Sequence, residues 1–268
     1  MSLVLGNSLD KIKEIENKSV NLILTDPPYI ISKDSGMEEF HKFVQNKEEF
    51  VKNETDWEEY KSKNPSDYSE SQKNNFLRYG TIYGDKYAVK TKFGSWDDEF
   101  TMDVLDEYIK NFYNKLVDGG TCIIFFDIWK ISYLKEMMEK YKFKQIRFLE
   151  WIKTNPQPRN SKVNYLTNCR EIALLGIKKS KPTFNSKYDN AIYEYPFPSG
   201  KNRFHPTQKS LPLFKDLVEK HSNENDLVLD PFAGSGTTCL AAKETNRKYI
   251  GIERDENYYN LAKKRIEG

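Results

Sequence analysis

Short, continuously apolar runs that alternate with segments of helical period most narrow what this 268-residue chain can fold into. The β-rich runs are Ser2–Leu5, Val20–Thr25, Thr121–Phe126, Ile146–Trp151, Glu171–Ile177, Leu227–Leu229 and Lys248–Ile252. Several are apolar at every position, which suits strands covered by helices on both faces rather than strands with one wet face. Between them, Val104–Leu116, Ile131–Lys142, Leu213–His221 and Glu256–Ile266 repeat apolar residues at helical spacing; in the last, Tyr259, Ala262 and Ile266 share a face. Strands alternating with helices predict an α/β fold around a mainly parallel twisted sheet, with helices on both faces.

Two regions interrupt this rhythm. Residues 36–92 form a polar insertion with few aliphatic residues but with aromatic anchors at Phe40, Phe43, Phe50, Trp57, Tyr60, Tyr68, Phe76, Tyr79, Tyr83 and Tyr87. With too few aliphatic residues for a core of its own, it reads as a largely helical appendage or a mobile lobe that packs against something. Ser180–Arg203 reads as a loop bearing Pro, Gly, Tyr and Lys. The chain is otherwise a single domain. Its net charge of +2 is permissive for polyanion binding, which must then come from local clustering of the 42 Lys and Arg residues. Cys122, Cys169 and Cys239 lie far apart without metal-ligand spacing and read as reduced structural thiols, so no metal site is expected. The start MSLVLGNSLDKIKEI lacks a secretory pattern, and no run approaches the ~20 apolar residues of a membrane span. A soluble, intracellular and cytoplasmic protein of prokaryotic, viral or phage origin is expected.

Leu227-Val-Leu-Asp-Pro-Phe-Ala-Gly-Ser-Gly-Thr-Thr238 runs from an apolar strand through a tight glycine turn into a helical segment. Gly234 and Gly236 allow a ligand close to the backbone, and the helix start offers unpaired N–H groups. Alone, such a turn is equally a plain strand-to-helix connection. It lacks the third glycine of the dinucleotide pattern and the lysine of a P-loop, which disfavours a pyrophosphate or triphosphate ligand. Lys248-Tyr-Ile-Gly-Ile-Glu253 then ends a second strand in a carboxylate placed for both hydroxyls of a ribose. A nucleoside cofactor without a pyrophosphate is S-adenosylmethionine.

Nearer the N-terminus, Val20–Thr25 ends in Asp26-Pro27-Pro28-Tyr29. Two prolines fix φ and remove two donors, so the backbone leaves the sheet as a rigid edge with its carbonyls outward. By itself the tetrapeptide is also a Pro-stiffened turn with a solvated Asp and a packing Tyr. Beside the glycine loop its residue types match a chemistry. An exocyclic amine is a poor nucleophile because its lone pair is delocalised into the base. Asp26 and the Pro27 carbonyl can accept its N–H bonds and favour a tetrahedral nitrogen. Tyr29 offers a face on which an extruded base stacks. No nucleophilic cysteine is needed, which argues against C5-cytosine chemistry.

With both motifs in this order, the chain resembles the amino-methylating DNA methyltransferases of the permuted β class. Further matching pieces are Trp96-Asp97, the Gly119-Gly120 turn, Trp151-Ile-Lys-Thr-Asn-Pro-Gln-Pro158, His205-Pro-Thr-Gln-Lys209 and Asp255–Arg265. The resemblance covers most of the chain outside 36–92. It implies a Rossmann-like S-adenosylmethionine-dependent fold, and a base pocket of Asp26, Pro27, Pro28 and Tyr29. It also implies cofactor contacts from Asp230, Phe232, Gly234, Ser235, Gly236, Thr237 and Glu253, with Thr207 and Lys209 from a segment that closes over the cofactor. His205 has the alternative of capping the next helix. Where relatives carry Gly-Asp, this chain has Gly6-Asn7, and Asn7 can still accept from the cofactor's adenine amino group. The family's Lys-Pro is here Lys209-Ser210, with Pro212 displaced, which leaves the local turn open.

Within that family, Asp at the head of the tetrapeptide leans toward adenine N6 and Ser toward cytosine N4. The resemblance therefore implies an adenine-specific DNA methyltransferase that acts in a specific sequence by base flipping. N4-cytosine methylation, RNA N6-adenine methylation and a non-catalytic nucleic-acid-binding subunit are the alternatives. Residues 178–204 form a short candidate target-recognition segment. In it, Lys178, Lys179, Lys181, Lys187, Lys201 and Arg203 can hold phosphates, and Tyr188, Tyr193, Tyr195 and Phe197 can pack or stack. The partner implied is DNA; a homodimer and a cognate restriction endonuclease are left open.

Overall fold

The computed structural model describes residues 2–28, 52–65, 67–79, 82, 100–156, 166–199, 203–205 and 207–268. They fall in two compact units, residues 1–30 with 100–268, and residues 31–99. The larger unit holds β1 (Ser2–Leu5), β2 (Val20–Thr25), β3 (Leu116–Phe126), β4 (Phe143–Lys153), β5 (Arg170–Lys178), β6 (Ile192–Tyr195), β7 (Leu227–Asp230) and β8 (Lys248–Glu253) in one sheet. Their order is β1-β8-β7-β2-β3-β5-β4-β6, and every pairing is parallel except those of β5 with β3 and β4. The chain leaves β2 toward β3 and leaves β7 toward β8, on opposite sides. The crevice beyond the carboxyl ends of β2 and β7 is therefore the switch point at which open α/β sheets take ligands.

Side chains one residue apart in the central strands go to opposite cores, which explains the uninterrupted apolar runs. Ile23, Cys122, Ile124 and Phe126 pack under α1 (Ser8–Glu14) and, farther along the chain, helices over Met102–Lys115 and Ile131–Lys140. Leu22, Leu24, Ile123 and Phe125 pack instead with Leu213, Phe214, Leu217 and Val218 of the helix Leu211–His221, and with Ala241 and Ala242 of the helix Thr237–Glu244. In the larger unit Phe125 stacks on Phe214 with centroids 5.5 Å apart. Each such side chain, fully buried, contributes roughly 1.5–3 kcal/mol.

The smaller unit contains α2 (Glu54–Lys63) and α3 (Glu70–Tyr79). Asn53 and Asp56 close a capping box at the start of α2. Contrary to the expectation of no core of its own, Trp57, Phe76 and Ile82 are buried together, with Tyr60 and Tyr68 packed on them. Aromatic rings supply the area that aliphatic residues lack; the Tyr60 and Phe76 centroids lie 4.7 Å apart. Phe40, Phe43, Phe50, Tyr83 and Tyr87, and the Trp96-Asp97 pair, lie outside the described residues.

The remaining helices are α4 (Met102–Lys115), α5 (Ile131–Lys140), α6 (Leu211–His221), α7 (Thr237–Glu244) and α8 (Glu256–Glu267). Three departures from the sequence reading have physical causes. Gly119-Gly120 lies within β3 rather than in a turn, where the β2–β3 pairing skips from Val20↔Leu116 to Leu22↔Thr121. Part of the expected loop Ser180–Arg203 is β6, held on β4 by Glu150↔Ile192 pairing and by the Trp151 indole N–H donating to Tyr195 O at 2.9 Å. Pro212 sits in the first turn of α6, where its missing N–H costs nothing, and Ser210 occupies the N-cap position. Among the described residues no helix is long and apolar enough to cross a membrane.

Candidate functional site

β2 delivers Asp26 to the switch point, two residues beyond Leu24 and on the α6 side of the sheet. Asp26 Oδ2 receives the Lys209 ammonium at 2.9 Å. Asp26 Oδ1 is buried without a hydrogen-bond partner among the described residues. Burial pushes the Asp26 carboxyl up to about 6, against the pull of Lys209 and with help from Glu171 and Asp230. Pro27 is buried and Pro28 half-buried. Tyr29 lies outside the described residues. A buried acceptor oxygen with nothing to accept is costly in an interior unless a donor arrives there.

The neighbouring strand β7 ends in Asp230, which is fully engaged inside the protein. Its Oδ1 accepts from the Thr25 hydroxyl at 2.7 Å and the Phe232 N–H at 3.1 Å, and its Oδ2 accepts from Thr238 at 2.6 Å. Asp230 thus braces the site rather than facing an open space. Phe232 packs on Tyr108 of α4, with centroids 4.7 Å apart.

The two glycines of the loop have different reasons to be glycine. Both take positive φ, 49° at Gly234 and 71° at Gly236. A Cβ on Gly236 would come within 2.9 Å of Ile266 and 3.2 Å of Ala262, so this position is demanded by packing against α8. A Cβ on Gly234 would meet only the His205 ring, at 3.5 Å. At Gly234 it is the positive φ rather than crowding that asks for glycine. Ser235 and Thr237 are buried; their hydroxyls lie 3.0 Å apart, and Arg265 Nη1 donates to Ser235 O at 3.0 Å and to Thr237 Oγ1 at 2.9 Å. Sequence reading placed Arg265 in a matching segment but saw no role for it.

Glu253, at the end of β8, accepts from Gly234 N at 2.7 Å and Asp255 N at 2.8 Å. Burial raises its carboxyl, and these backbone N–H groups oppose the rise. The Arg254 backbone N–H acts on the same carboxylate, and the acceptor capacity left over is what could serve ribose hydroxyls. Asn7 is brought beside it by β1, through Leu5↔Glu253 pairing and Gly6 N donating to Glu253 O at 2.9 Å. The Asn7 amide oxygen caps α1 by accepting from Leu9 N at 2.9 Å, a local use that the Gly-Asn comparison did not reveal.

His205 does not cap α6. Its ring packs on Tyr258 at 4.2 Å, and its Nδ1 accepts from Thr207 N at 3.3 Å. Burial, with Lys209 and Arg203 nearby, lowers it to about 4, so it is a neutral imidazole over Gly234 at neutral pH. The segment begun by His205 thus lies against the glycine loop, while its other end reaches the DPPY strand. Thr207 is exposed, and Lys209 is buried on Asp26 and Glu171 rather than turned toward Gly234. The structure therefore groups Lys209 with Asp26 and Glu171.

The DNA methylase model of the N6/N4 amino-methylating type matches residues 20–264. This chain belongs to that family. The methylase is similar to the Type II methyltransferase M.HinfI of Haemophilus influenzae, at 28% identity over 284 residues that cover 99% of this chain and 68% of the relative. It is also similar to the Type II methyltransferase M2.MboI of Moraxella bovis, at 27% identity, covering 97% of this chain and 85% of that one. Among solved structures, the M1.HpyAVI–SAM complex matches with a TM-score of 0.63 at 27% identity, covering 100% of this chain and 99% of that one. The methylase shares its fold with the cytosine-N4-specific PvuII DNA methyltransferase, at a TM-score of 0.64 and 16% identity.

In the methylase's 178–204 segment one expectation fails outright. Lys178 is buried and donates to Leu116 O at 2.6 Å, which removes it from the set that can hold phosphates; the strand β5 simply continues through it. Lys181, Lys187 and Arg203 are exposed, and Lys201 lies outside the described residues. Tyr193 is buried and donates to Asp189, Tyr195 donates to Asp216, and Tyr188 is fully exposed. Phe197 is tied to the end of β4 by two hydrogen bonds with Asn155, at 2.9 and 2.6 Å, and lies under the Arg203 guanidinium at 4.5 Å.

Proposed function

We propose that this DNA amino-methyltransferase methylates the N6 amino group of adenine in a specific DNA sequence, with the target base flipped into the crevice beside Asp26. The cofactor is S-adenosylmethionine, which supplies an electrophilic methyl group on a sulfonium. The residues present fit it. Gly234 keeps a Cβ out of the space under the His205 ring, Glu253 retains acceptor capacity for the ribose, and Asn7, Phe232, Ser235, Gly236, Thr237 and Thr207 are the other residues expected to hold the cofactor.

The observation that carries the reading is the divided Asp26 carboxylate, with Oδ2 held by Lys209 and Oδ1 buried without a partner among the described residues. An amine N–H directed at Oδ1 and a second at the Pro27 carbonyl would hold the nitrogen with its lone pair free. Once methylated, the nitrogen sheds a proton, and a carboxyl near 6 is suited to receive it at neutral pH. Tyr29 supplies the stacking face in this reading. Adenine rather than cytosine follows from Asp at the head of the tetrapeptide.

The test is methylation of unmodified genomic DNA followed by modification-sensitive sequencing, which returns the base and its sequence context together. N6-methyladenine at one recurring sequence is expected; N4-methylcytosine would overturn the base assignment. Matched RNA oligonucleotides test the RNA alternative, and cofactor titration tests the non-catalytic one. Two partner expectations travel with this reading, a second copy of the chain and a cognate restriction endonuclease; light scattering and inspection of neighbouring genes test them.

A further inference from the structure

Four charged side chains form a line on the α6 face of the sheet, and two of them, Glu171 and Lys153, have been given no role so far. Asp26 Oδ2 meets Lys209 at 2.9 Å, Lys209 meets Glu171 Oε2 at 2.5 Å, and Glu171 Oε1 meets Lys153 at 2.6 Å. Side-chain exposure along the line is 16, 8, 18 and 15%, so water screens each link weakly. Strand register builds the line. Phe125 pairs with Ala173, Glu171 stands two residues from Ala173 and pairs with Trp151, and Lys153 stands two residues from Trp151. Steps of two keep them on one face.

The signs alternate, and the two inner groups are shared. Lys209 divides its hydrogen bonds between two carboxylates, and Glu171 divides its own between two ammonium groups. Burial works to raise the Glu171 carboxyl, but Lys209 and Lys153 outweigh it and hold the group ionised below its ordinary value. How tightly Lys209 grips Asp26 therefore depends on how strongly Glu171 competes for it, and that depends on Lys153.

We propose that Glu171 and Lys153 are positioning residues: they govern how firmly Lys209 holds Asp26, and so how readily Asp26 accepts a proton from the target amine. Glu171 draws part of the Lys209 charge away and fixes the ammonium on Oδ2, which keeps Oδ1 clear. Lys153 limits that draw. The role rests on Asp26 being the amine acceptor of the proposed function. The other charged group acting on Asp26 is Asp230, from β7; it is held by Thr25 and Thr238 and is untouched by changes at 171 or 153.

Removing the two residues shifts Asp26 in opposite directions. In Glu171→Gln, the negative charge that competes with Asp26 for Lys209 is gone, and Asp26 becomes more acidic. In Lys153→Met, Glu171 is left with Lys209 alone and pulls it from Asp26, which becomes less acidic. The Asp26 carboxyl is titrated by 13C NMR in aspartate-labelled protein, free of cofactor and DNA and assigned by its absence in Asp26→Asn. The acid limb of single-turnover methylation is measured in the same variants. Opposite shifts of about half a pH unit or more are expected, with the kinetic limbs following. Lys153→Gln replaces the Met variant should that protein fold poorly. Shifts in the same direction, or none, overturn the inference. Carboxyl shifts with unmoved kinetic limbs overturn its catalytic part. Opposite carboxyl shifts in a protein that methylates nothing uphold the linkage and overturn the proposed function instead.

Discussion

The Thr25 hydroxyl donates to Asp230 Oδ1 at 2.7 Å, joining residues 205 apart in sequence. Thr238 completes the joint, bonding Asp230 Oδ2 at 2.6 Å and Leu24 O at 3.1 Å. One buried carboxylate thereby fixes the strand that presents Asp26 against the strand that opens the glycine loop. The spacing between the two halves of the site is set by a rigid joint, which methyl transfer over a short distance requires.

Replacing Asp230 with Ala leaves the buried Thr25 hydroxyl and the Phe232 N–H without their acceptor, and Thr238 with Leu24 O alone. A loss of about 2–4 kcal/mol of stability is expected in urea unfolding. Thr25→Val removes one bond and should cost about 1 kcal/mol while lowering the methylation rate more than cofactor affinity. A Thr25→Val protein with an unchanged rate would show that the joint does not set the geometry.

Methylation should rise with pH through about 6 and then level. The Asp26 carboxyl is raised in the folded protein from 3.8 to about 6, so its contribution to stability is fully present below 3.8 and is lost as pH rises through 6. The ionised form, which the amine needs, is the one that appears across that same interval. Asp26→Asn should lower the rate by about 100-fold or more and flatten this limb, with cofactor binding retained. A profile flat from pH 5 to 7 in the unmodified enzyme contradicts the assignment.

The glycines separate stability from binding. Gly236→Ala forces a Cβ toward Ile266 at positive φ and should cost about 1–3 kcal/mol. Gly234→Ala meets no contact closer than 3.5 Å, so it should cost only the strain of its positive φ while weakening S-adenosylmethionine binding, seen by calorimetry as a higher Kd. Equal effects of the two changes on affinity would remove the distinction between them.

Arg265→Met should loosen the glycine loop, because Ser235 O and Thr237 Oγ1 lose a shared donor. An approximately tenfold rise in the cofactor Kd is expected, equivalent to about 1.4 kcal/mol. An unchanged Kd would make Arg265 a packing residue only.

Much of the fold was legible because its strands are buried on both faces, and such runs announce themselves: Val20–Thr25 was read to the residue. β6 was not legible, since Ile192–Tyr195 is short and sits among loop residues, and only its pairing with β4 makes it a strand. α1 was passed over although Asn7 and Asp10 carry an N-terminal signature, because its apolar face is brief. At the site, the residue types of Asp26 and the glycine loop were enough to suggest a chemistry. Glu171 and Lys153 did not, because a charge within a strand declares neither its face nor its partner; that requires the register. Lys209 was expected against the cofactor, and its ion pairs with Asp26 and Glu171 could be learned only from the fold.

The adjacency of β2 and β7 also sets a timetable. Residues 205 apart emerge from a ribosome separated by roughly 10–40 s at ordinary elongation rates. Through that interval β2 can pair with β3 on one side, while its other edge, apolar on both faces, awaits a strand not yet synthesised. The newborn methylase must carry an open edge at what becomes the middle of its sheet, the kind of surface on which chains stick to one another. Its competence for catalysis and its freedom from aggregation therefore arrive together, with the same late strand.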